Sequence, residues 1–253
     1  MQLFFRQLGH GQPMVILHGL FGSSDNWLTI SKTIADQGFA VYLLDQRNHG
    51  RSLHSSAFDY NLMAADLHEF LTQHNLQKPI LVGHSMGGKT VMQYATNYPD
   101  TFDKLVIVDI APKFYPVHHA QILAGLAAIP LATLASRNEA DALLSRYEPD
   151  AGVRQFLLKN LYRNEVGAFA WRINLPIIAE NISAIGDNVA NQRVVSEPVL
   201  FVRGQKSNYV LNADIPAIMK WFPNATIDTV AGAGHWVQAE QPEAFVAALA
   251  RFA

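Results

Sequence analysis

Cysteine is absent from the 253-residue sequence. This absence excludes disulfide bonds, cysteine nucleophiles and thiolate metal sites. The sequence also lacks any run of about 18 consecutive apolar residues, the length that a transmembrane helix requires. It has no basic segment followed by an apolar stretch near its start, which would mark a signal peptide. We therefore expect a cytoplasmic protein without a membrane span.

An excess of either charge is missing as well. The chain has 19 lysine and arginine residues against 21 aspartate and glutamate residues, for a net charge of −2. This balance offers no electrostatic basis for binding nucleic acid or an acidic membrane surface. Since 49% of the residues are hydrophobic and 16% are charged, the chain can bury a large core as one α/β domain, with room for an insertion.

Short apolar runs alternate with helical patterns along most of the chain. Strands are predicted at residues 1–6, 14–17, 40–44, 80–82, 105–108, 199–202 and 226–230. Helices are predicted at residues 27–37, 61–74, 86–97, 214–221 and 242–252. Nearly continuous apolar strands that alternate with helices are typical of a parallel sheet covered on both faces. The sequence therefore predicts an α/β fold with a mostly parallel central sheet.

The regular alternation stops between residues 111 and 197. This stretch shows no clear strand, and we predict short helices at residues 118–135, 139–147, 153–160 and 168–185. Ligands bind open α/β sheets at the C-terminal ends of the strands, so an insertion at that edge predicts a lid. We expect a helical cap at 112–196, inserted before the penultimate strand, over a core of 1–111 and 197–253. The alternative is an extra packing layer without a gating role.

One pentapeptide, Gly83-His84-Ser85-Met86-Gly87, carries the main chemical signal. It has the G-x-S-x-G pattern of a nucleophile elbow, between an apolar strand and a helix. Small residues on either side allow the strand and the helix to approach while the serine adopts a strained backbone conformation. The hydroxyl then stands at a helix N-terminus, where N–H groups favour a negative oxygen. The pattern predicts Ser85 as a nucleophile; the alternative is an ordinary turn serine.

A serine nucleophile needs a general base. In the chain order of elbow hydrolases the histidine follows the serine, and only His118, His119 and His235 do so. The first two lie in the insertion. His235 follows the last predicted strand in a glycine-rich turn, at the same sheet edge as the elbow. We predict His235 as the base.

The tetrahedral intermediate also needs backbone donors for its oxyanion. One is predicted to be the N–H of Met86, the residue after the nucleophile. The second is expected from the loop at residues 18–23, which follows the first core strand. Leu20 is the first choice there, and Phe21 is the alternative.

Taken together, these segments resemble the α/β-hydrolase superfamily of esterases and lipases over essentially the full chain. The matching segments are residues 18–23 (HGLFGS), 45–52 (DQRNHGRS), the elbow, and Gly234-His235. Residues 169–175 (FAWRINL) are similar to the small YbfF-type bacterial esterases and their mitochondrial relatives. The resemblance implies an α/β-hydrolase fold and hydrolysis of acyl esters or thioesters without a cofactor. In this superfamily, the polar stretch 45–51 usually stabilises a loop.

The acid of the expected triad departs from the commonest superfamily pattern, which places G-x-x-D after the strand at 199–202. Residues 204–207 read Gly-Gln-Lys-Ser here, and a serine cannot supply the charge that stabilises an imidazolium. We predict Asp109 instead, because it ends the strand at 105–108 at the same sheet edge and would need a partner if buried. YbfF-type esterases resemble this arrangement. Ser207 is predicted to hold Asp109 by a hydrogen bond.

Alternatives for Asp109 and for the activity remain open. Asp109 could instead cap the first turn of the insertion, and Asp214 is a second candidate acid. We predict a serine esterase or thioesterase, with acyl-CoA among the substrates if Lys113, Arg203 or Lys206 meets its phosphates. A C–C bond hydrolase or a lyase of the menaquinone-synthase type would use the same scaffold. A non-catalytic ligand-binding protein is favoured only by Ser207.

No metal site is predicted. His118 and His119 are adjacent in sequence rather than at the spacing that places two ligands on one helix face, and no acidic cluster accompanies them. The expected partner is a small acyl ester or thioester.

Overall fold

The computed structural model describes residues 1–117, 119–189 and 193–253. The strands are β1 (Phe5–Leu8), β2 (Gln12–Leu17), β3 (Phe39–Leu44), β4 (Ile80–His84), β5 (Lys104–Val108), β6 (Leu161–Arg163), β7 (Phe169–Trp171), β8 (Val199–Gly204) and β9 (Ala225–Val230). The helices are α1 (Leu28–Ala35), α2 (Tyr60–Gln73), α3 (Met86–Asn97), α4 (Ala120–Ala127), α5 (Arg137–Leu144), α6 (Ala151–Leu158), α7 (Leu175–Glu180), α8 (Ile182–Gly186), α9 (Ile215–Trp221), α10 (Val237–Glu240) and α11 (Pro242–Phe252).

Seven strands form the central sheet, in the order β1-β3-β2-β4-β5-β8-β9. β1 is antiparallel to β3, and every other pair in this sheet is parallel. The mostly parallel sheet predicted from the apolar runs is therefore confirmed. The first strand begins at Phe5 rather than at Met1. The backbone before it binds a loop instead, since the Phe4 N–H donates to Ser52 Oγ at 2.8 Å.

Helices cover both faces of the sheet, as predicted. The alternation along β2 shows how the chain builds the two layers. Met14 and Ile16 point into the core that α1 and α11 cover. Val15 and Leu17 point into the core on the other face, together with apolar residues of α2, α3 and α9. Each inner strand is thus buried on both sides, which explains its nearly continuous apolar sequence.

The parallel strands bring their C-terminal ends to one edge of the sheet. The loop at 18–23 follows β2, and Ser85 follows β4. Asp109 follows β5, Ser207 lies shortly after β8, and His235 lies in the loop after β9. Segments far apart in sequence are therefore gathered at the edge where ligands bind such sheets.

The segment between β5 and β8 differs from the prediction in two places. The predicted helix at 168–185 is wrong in its first part, because β6 and β7 form an antiparallel hairpin with Tyr162 opposite Ala170. In the turn, the Asn164 N–H donates to the Ala168 oxygen, and the Ala168 N–H donates to Asn164 Oδ1. Gly167 lies in the left-handed region at φ +80°. Alternating aromatic residues around a glycine-containing turn are a hairpin signal that the helical interpretation overlooked.

The predicted helix at 118–135 is also shorter in the structure. α4 ends at Ala127, and Pro130 then accepts backbone hydrogen bonds from Thr133 and Leu134 in a separate turn. The predicted start at His118 lies outside the described residues. Pro130 lacks an N–H group and cannot continue a helix, which accounts for the early end.

A third apolar cluster joins the segment between β5 and β8 to the sheet edge. Leu126, Leu157 and Ile178 from this segment are buried against Phe21 and Met86. The helices predicted before the penultimate strand therefore lie on the side of the molecule where the strands end. Among the residues that the structure describes, no helix has both the length and the apolar character needed to cross a membrane.

Candidate active site

Ser85 occupies the turn between β4 and α3 with a strained backbone, at φ +52° and ψ −116°. The glycines around it are required by close packing. A Cβ atom on Gly83 would lie 2.2 Å from the Gly87 oxygen, and one on Gly87 would lie 2.4 Å from the Leu17 oxygen. This crowding holds the serine in a conformation that few non-glycine residues adopt.

His235 meets Asp109 at the sheet edge. Its Nδ1 lies 2.8 Å from Asp109 Oδ2. The carboxylate can only accept, so Nδ1 carries the proton and Nε2 is left as the basic nitrogen. The Asp109 side chain has no exposed surface, whereas 19% of the His235 side chain is exposed. The imidazole can therefore reach a ligand while its orienting carboxylate stays out of water.

Three groups donate to the buried carboxylate of Asp109. Besides His235, the Gly204 N–H donates to Oδ1 at 3.1 Å, and Ser207 Oγ donates to Oδ2. Asp109 itself has a left-handed backbone, at φ +50°. A buried carboxylate is tolerated only when hydrogen bonds replace its hydration. Asp214, the second candidate acid, lies elsewhere and pairs with Lys113 at 2.6 Å.

His84 is a neighbour of the site that no sequence pattern predicted. Its Nε2 donates to the backbone oxygen of His235 at 2.9 Å, and the two rings are 4.7 Å apart. Burial, followed by the nearby His235, lowers the pKa of His84 to about 3. The ring therefore stays neutral and ties the His235 loop to β4. Only its position beside Ser85 in the motif could have indicated this contact.

Leu20 and Met86, whose backbone N–H groups are the predicted oxyanion donors, line the same cavity as Ser85. Met86 begins α3, so its N–H has no acceptor within the helix. The alternative donor, Phe21, is already engaged, because its N–H donates to His49 Nε2 at 3.2 Å. This contact leaves Leu20 as the better candidate in the early loop.

His49 is held as a neutral acceptor behind that loop. Its Nδ1 donates to the Arg47 backbone oxygen at 2.9 Å, which leaves Nε2 free to accept from Phe21. Burial, reinforced by His18, lowers the pKa of His49 to about 3. Asp45 accepts from the Ser24 and Arg51 backbone N–H groups at 2.6 and 2.8 Å. The polar stretch 45–51 thus stabilises the loop, as the sequence predicted.

The cavity beside Ser85 has a volume of about 260 Å³. Its lining combines the sheet-edge residues with apolar side chains of the segment between β5 and β8. From that segment come Ile122, Val153, Phe156, Leu157 and Ile185. Glu148 and His119 of the same segment also line the cavity, but most of the lining residues from this segment are apolar, as an acyl group would require.

A buried lysine fastens the end of α8 to the helix that follows Ser85. Lys89 Nζ donates to the Gly186 oxygen at 3.0 Å and also to the Asp187 oxygen. Tyr60 Oη donates to the neighbouring Ile185 oxygen at 2.8 Å. Burial lowers the pKa of Lys89 to about 8, against the opposing charge of Asp187. No pattern in the sequence indicated a role for this residue.

The segment 169–175 contacts the polar stretch at the sheet edge. The Asn174 N–H donates to the Asn48 oxygen at 2.9 Å, and its side-chain amide donates to Asn48 Oδ1 at 3.2 Å. Asn160 Nδ2 donates to the Phe21 oxygen at 2.7 Å. Two sequence segments that carry the family resemblance therefore touch each other in space.

Metal-binding residues do not gather in the described ranges. Within them, no group of three or more His, Cys, Asp or Glu side chains lies close enough together to hold an ion. His119 lines the cavity, with its ring 6.0 Å from that of Phe21. His118, the other histidine of the insertion, lies outside the described residues.

Comparisons with known proteins agree with this architecture. Residues 12–242 match the family model described as alpha/beta hydrolase fold. The chain is 40% identical over 247 residues to mouse sn-1-specific diacylglycerol lipase ABHD11, covering 94% of this chain and 80% of that protein. It is 35% identical over 246 residues to esterase YbfF of Escherichia coli, covering 96% of this chain and 93% of that protein.

A solved structure of a marine microorganism esterase superposes with a TM-score of 0.97 at 43% identity, covering 100% of both chains. The sequence of this protein thus matches the family nearly from end to end. Its strands β2 to β9 and the strained serine between β4 and α3 lie within the matched residues. The protein belongs to the α/β-hydrolase fold family.

Proposed function

We propose that Ser85, His235 and Asp109 hydrolyse carboxylic esters through an acyl-enzyme intermediate. The protein is a carboxylic ester hydrolase by its family and by its similarity to esterases over nearly its full length. The observation that carries the residue assignment is the contact between His235 Nδ1 and the buried Asp109 carboxylate. It orients the histidine at a cavity that Ser85 also lines.

In the acylation step, Ser85 Oγ attacks the acyl carbonyl while its proton passes to His235 Nε2. The negative charge of Asp109 stabilises the imidazolium that forms. The carbonyl oxygen becomes an oxyanion and accepts hydrogen bonds from the N–H groups of Leu20 and Met86. Collapse of the intermediate breaks the ester bond, and the alcohol leaves with the proton from His235.

Deacylation uses the same groups in reverse. A water molecule gives a proton to His235 Nε2 as its oxygen attacks the acyl carbon, and the oxyanion forms again in the same position. Collapse returns the proton to Ser85 Oγ and releases the carboxylic acid. The step consumes one water molecule and needs no cofactor.

The cavity supports short acyl groups as substrates. Its volume of about 260 Å³ lies just below the usual range of small-molecule pockets, and most of its lining from the segment between β5 and β8 is apolar. The cations considered for CoA are not among its lining residues. Lys113 pairs with Asp214, and Arg203 donates to Asn212 and Thr229. We therefore propose simple esters, rather than acyl-CoA, as the better substrates.

A glycerolipid ester is a second candidate, because the mouse relative bears the name of a diacylglycerol lipase. We also propose that residues 112–196 act as a cap that shapes the acyl site, since their side chains supply its apolar wall. Thioester hydrolysis and a cytoplasmic location stay predictions from the sequence.

The test is p-nitrophenyl butyrate hydrolysis by the wild type, Ser85→Ala and the exposed-serine control Ser56→Ala. We expect Ser85→Ala to lower kcat by about 10⁴- to 10⁶-fold and Ser56→Ala to match the wild type. Mass spectrometry of quenched wild type should find a butyryl group on Ser85. Comparison of kcat/KM for p-nitrophenyl esters of different acyl length, a diacylglycerol and butyryl-CoA then ranks the substrate classes.

A folded wild type without ester turnover or an acyl adduct would contradict the acyl-enzyme mechanism. It would favour the lyase, which acts by proton abstraction and forms no acyl intermediate.

A further inference from the structure

Tyr209 covers one face of the His235 imidazole. The two rings are stacked, with their centroids 3.9 Å apart and an angle of 18° between their planes. Tyr209 lies in the loop after β8 and is half-buried. No feature of the sequence indicated this contact, because it depends on the path of a loop rather than on a strand end.

The Tyr209 ring is held in place independently of the histidine. Its backbone N–H donates to Ser207 Oγ at 3.2 Å, and its backbone oxygen accepts from Tyr115 Oη at 2.6 Å. The Tyr115 ring also stacks against it, at 5.4 Å and 29°. Tyr115 in turn accepts from the Ala111 N–H at 2.9 Å. The stacked surface is thus supported by contacts that do not involve the imidazole.

The charged and titratable groups around His235 differ in what they do to its protonated form. The Asp109 carboxylate contacts the ring at Nδ1, whereas the Glu240 carboxylate accepts from the backbone N–H groups of Gly234 and Trp236 on either side of the histidine. His84 stays neutral and binds the backbone of His235 rather than its ring nitrogens. Burial, and then the charge of Asp109, raise the pKa of Tyr209 to about 12, so its phenol also stays neutral. Trp236 presents an edge contact, with centroids 5.8 Å apart.

An aromatic face attracts a cation, because its π electrons are concentrated above and below the ring. The imidazole becomes a cation only when it takes the serine proton, so the attraction is stronger in the transition state than in the resting enzyme. The stack also limits rotation of the imidazole about its Cβ–Cγ bond, which keeps Nδ1 directed at Asp109.

We propose that Tyr209 is a positioning residue of the hydrolase, whose aromatic face orients His235 and stabilises its protonated form. This inference rests on the proposed function, since it assumes that His235 acts as the base. The ring face, and not the hydroxyl group, supplies the effect.

The test compares Tyr209→Phe, which keeps the aromatic face, with Tyr209→Leu, which keeps an apolar cover without it. The first readout is the pH profile of kcat and kcat/KM with p-nitrophenyl butyrate. We expect Tyr209→Leu to lower kcat by about threefold or more, with little change in KM, and to move the acidic midpoint of kcat/KM down by about half a pH unit. Tyr209→Phe should follow the wild type in both.

A second readout does not need turnover. In a Ser85→Ala background, NMR titration of the His235 ring should give a lower pKa with Tyr209→Leu than with Tyr209→Phe. An unchanged midpoint and kcat in folded Tyr209→Leu would overturn the proposal, as would equal impairment of both variants. If Ser85→Ala itself retains full turnover, the proposed function fails instead, and the two failures are distinguished.

Discussion

The two sides of the cavity are built on different principles. On the sheet side, the candidate catalytic groups follow the parallel strands β4, β5 and β9, and hydrogen bonds hold them from several directions. Asp109 alone accepts from His235, Gly204 and Ser207. On the other side, which we call the cap side after the proposed cap, the wall consists mostly of apolar side chains from the segment between β5 and β8. A few polar contacts fasten this segment to the core.

The difference assigns the proposed proton transfer to the sheet side of the cavity and the recognition of the acyl group to the cap side. A group that must transfer a proton needs fixed distances, which a network of directional bonds between rigid strands provides. A wall that recognises an acyl chain needs shape and apolar surface, which can change without moving the reacting atoms. We therefore expect substitutions on the sheet side to act mainly on kcat, and substitutions on the cap side to act mainly on KM and selectivity.

The largest effect is expected from removing the charge on the sheet side. Asp109→Asn keeps the size of the side chain but loses the negative charge that stabilises the imidazolium and fixes its tautomer. We expect kcat for p-nitrophenyl butyrate to fall by about 10⁴-fold. The matched control is Asp214→Asn, which should stay within about threefold because Asp214 pairs with Lys113 away from the histidine.

A double variant sharpens this test. Asp109→Asn combined with Ser207→Asp moves the carboxylate to the position that most superfamily members use. Ser207 Oγ already contacts the Asp109 carboxylate, so the new carboxyl group lies near His235. We expect the double variant to recover roughly tenfold over Asp109→Asn, since the two sites are coupled. A mild effect of Asp109→Asn would show that the acid lies elsewhere.

The contrast between the two sides also explains what could be predicted from the sequence. The apolar runs that end at Ser85 and Asp109 identify buried parallel strands, and parallel strands share an edge. His235 follows from the same rule and from chain order. The sequence was therefore sufficient to predict the fold and the sheet edge at which these residues meet, although their catalytic roles stay proposals.

The contacts of Tyr209, His84 and Lys89 could not be predicted from sequence periodicity. Each depends on where a loop or the cap returns to the core, and sequence periodicity carries no information on such paths. The wrong helix boundaries between β5 and β8 have a different cause. The sequence held the signals, namely the alternating aromatic residues around Gly167 and the break at Pro130, but short apolar stretches also fit a helix.

An intermediate effect is expected from loosening the cap side. Lys89→Met keeps the apolar stem but leaves the Gly186 and Asp187 oxygens without their donor. We expect a loss of about 1–3 kcal/mol in the free energy of unfolding. KM for p-nitrophenyl butyrate should rise several-fold while kcat changes little. The control Lys159→Met removes an exposed lysine of the cap and should change neither quantity. A loss of kcat alone would contradict the division between the two sides.

The same lysine predicts a pH dependence of stability. Burial lowers its pKa from 10.5 to about 8, so between these values the unfolded chain binds more protons at this site than the folded one. The contribution of this site to stability therefore rises with pH across that window. Urea unfolding at about pH 7.5 and about pH 9.5 should show the wild type gaining stability relative to Lys89→Met. A constant difference between the two proteins would contradict the assignment.

The smallest effect is expected from Ser207→Ala on the sheet side. The variant removes one donor from Asp109 but leaves Gly204 and His235 in place. We expect kcat to fall by about three- to tenfold, because a neutral hydrogen bond is lost while the charge remains. Ser207→Thr keeps a hydroxyl and serves as the control. A loss as severe as that of Asp109→Asn would mean that Ser207 does more than hold the carboxylate. Equal, mild effects of Ser207→Ala and Asp109→Asn would count against Asp109 as the acid. Loss of the negative charge that stabilises the imidazolium should cost far more activity than loss of one neutral hydrogen bond.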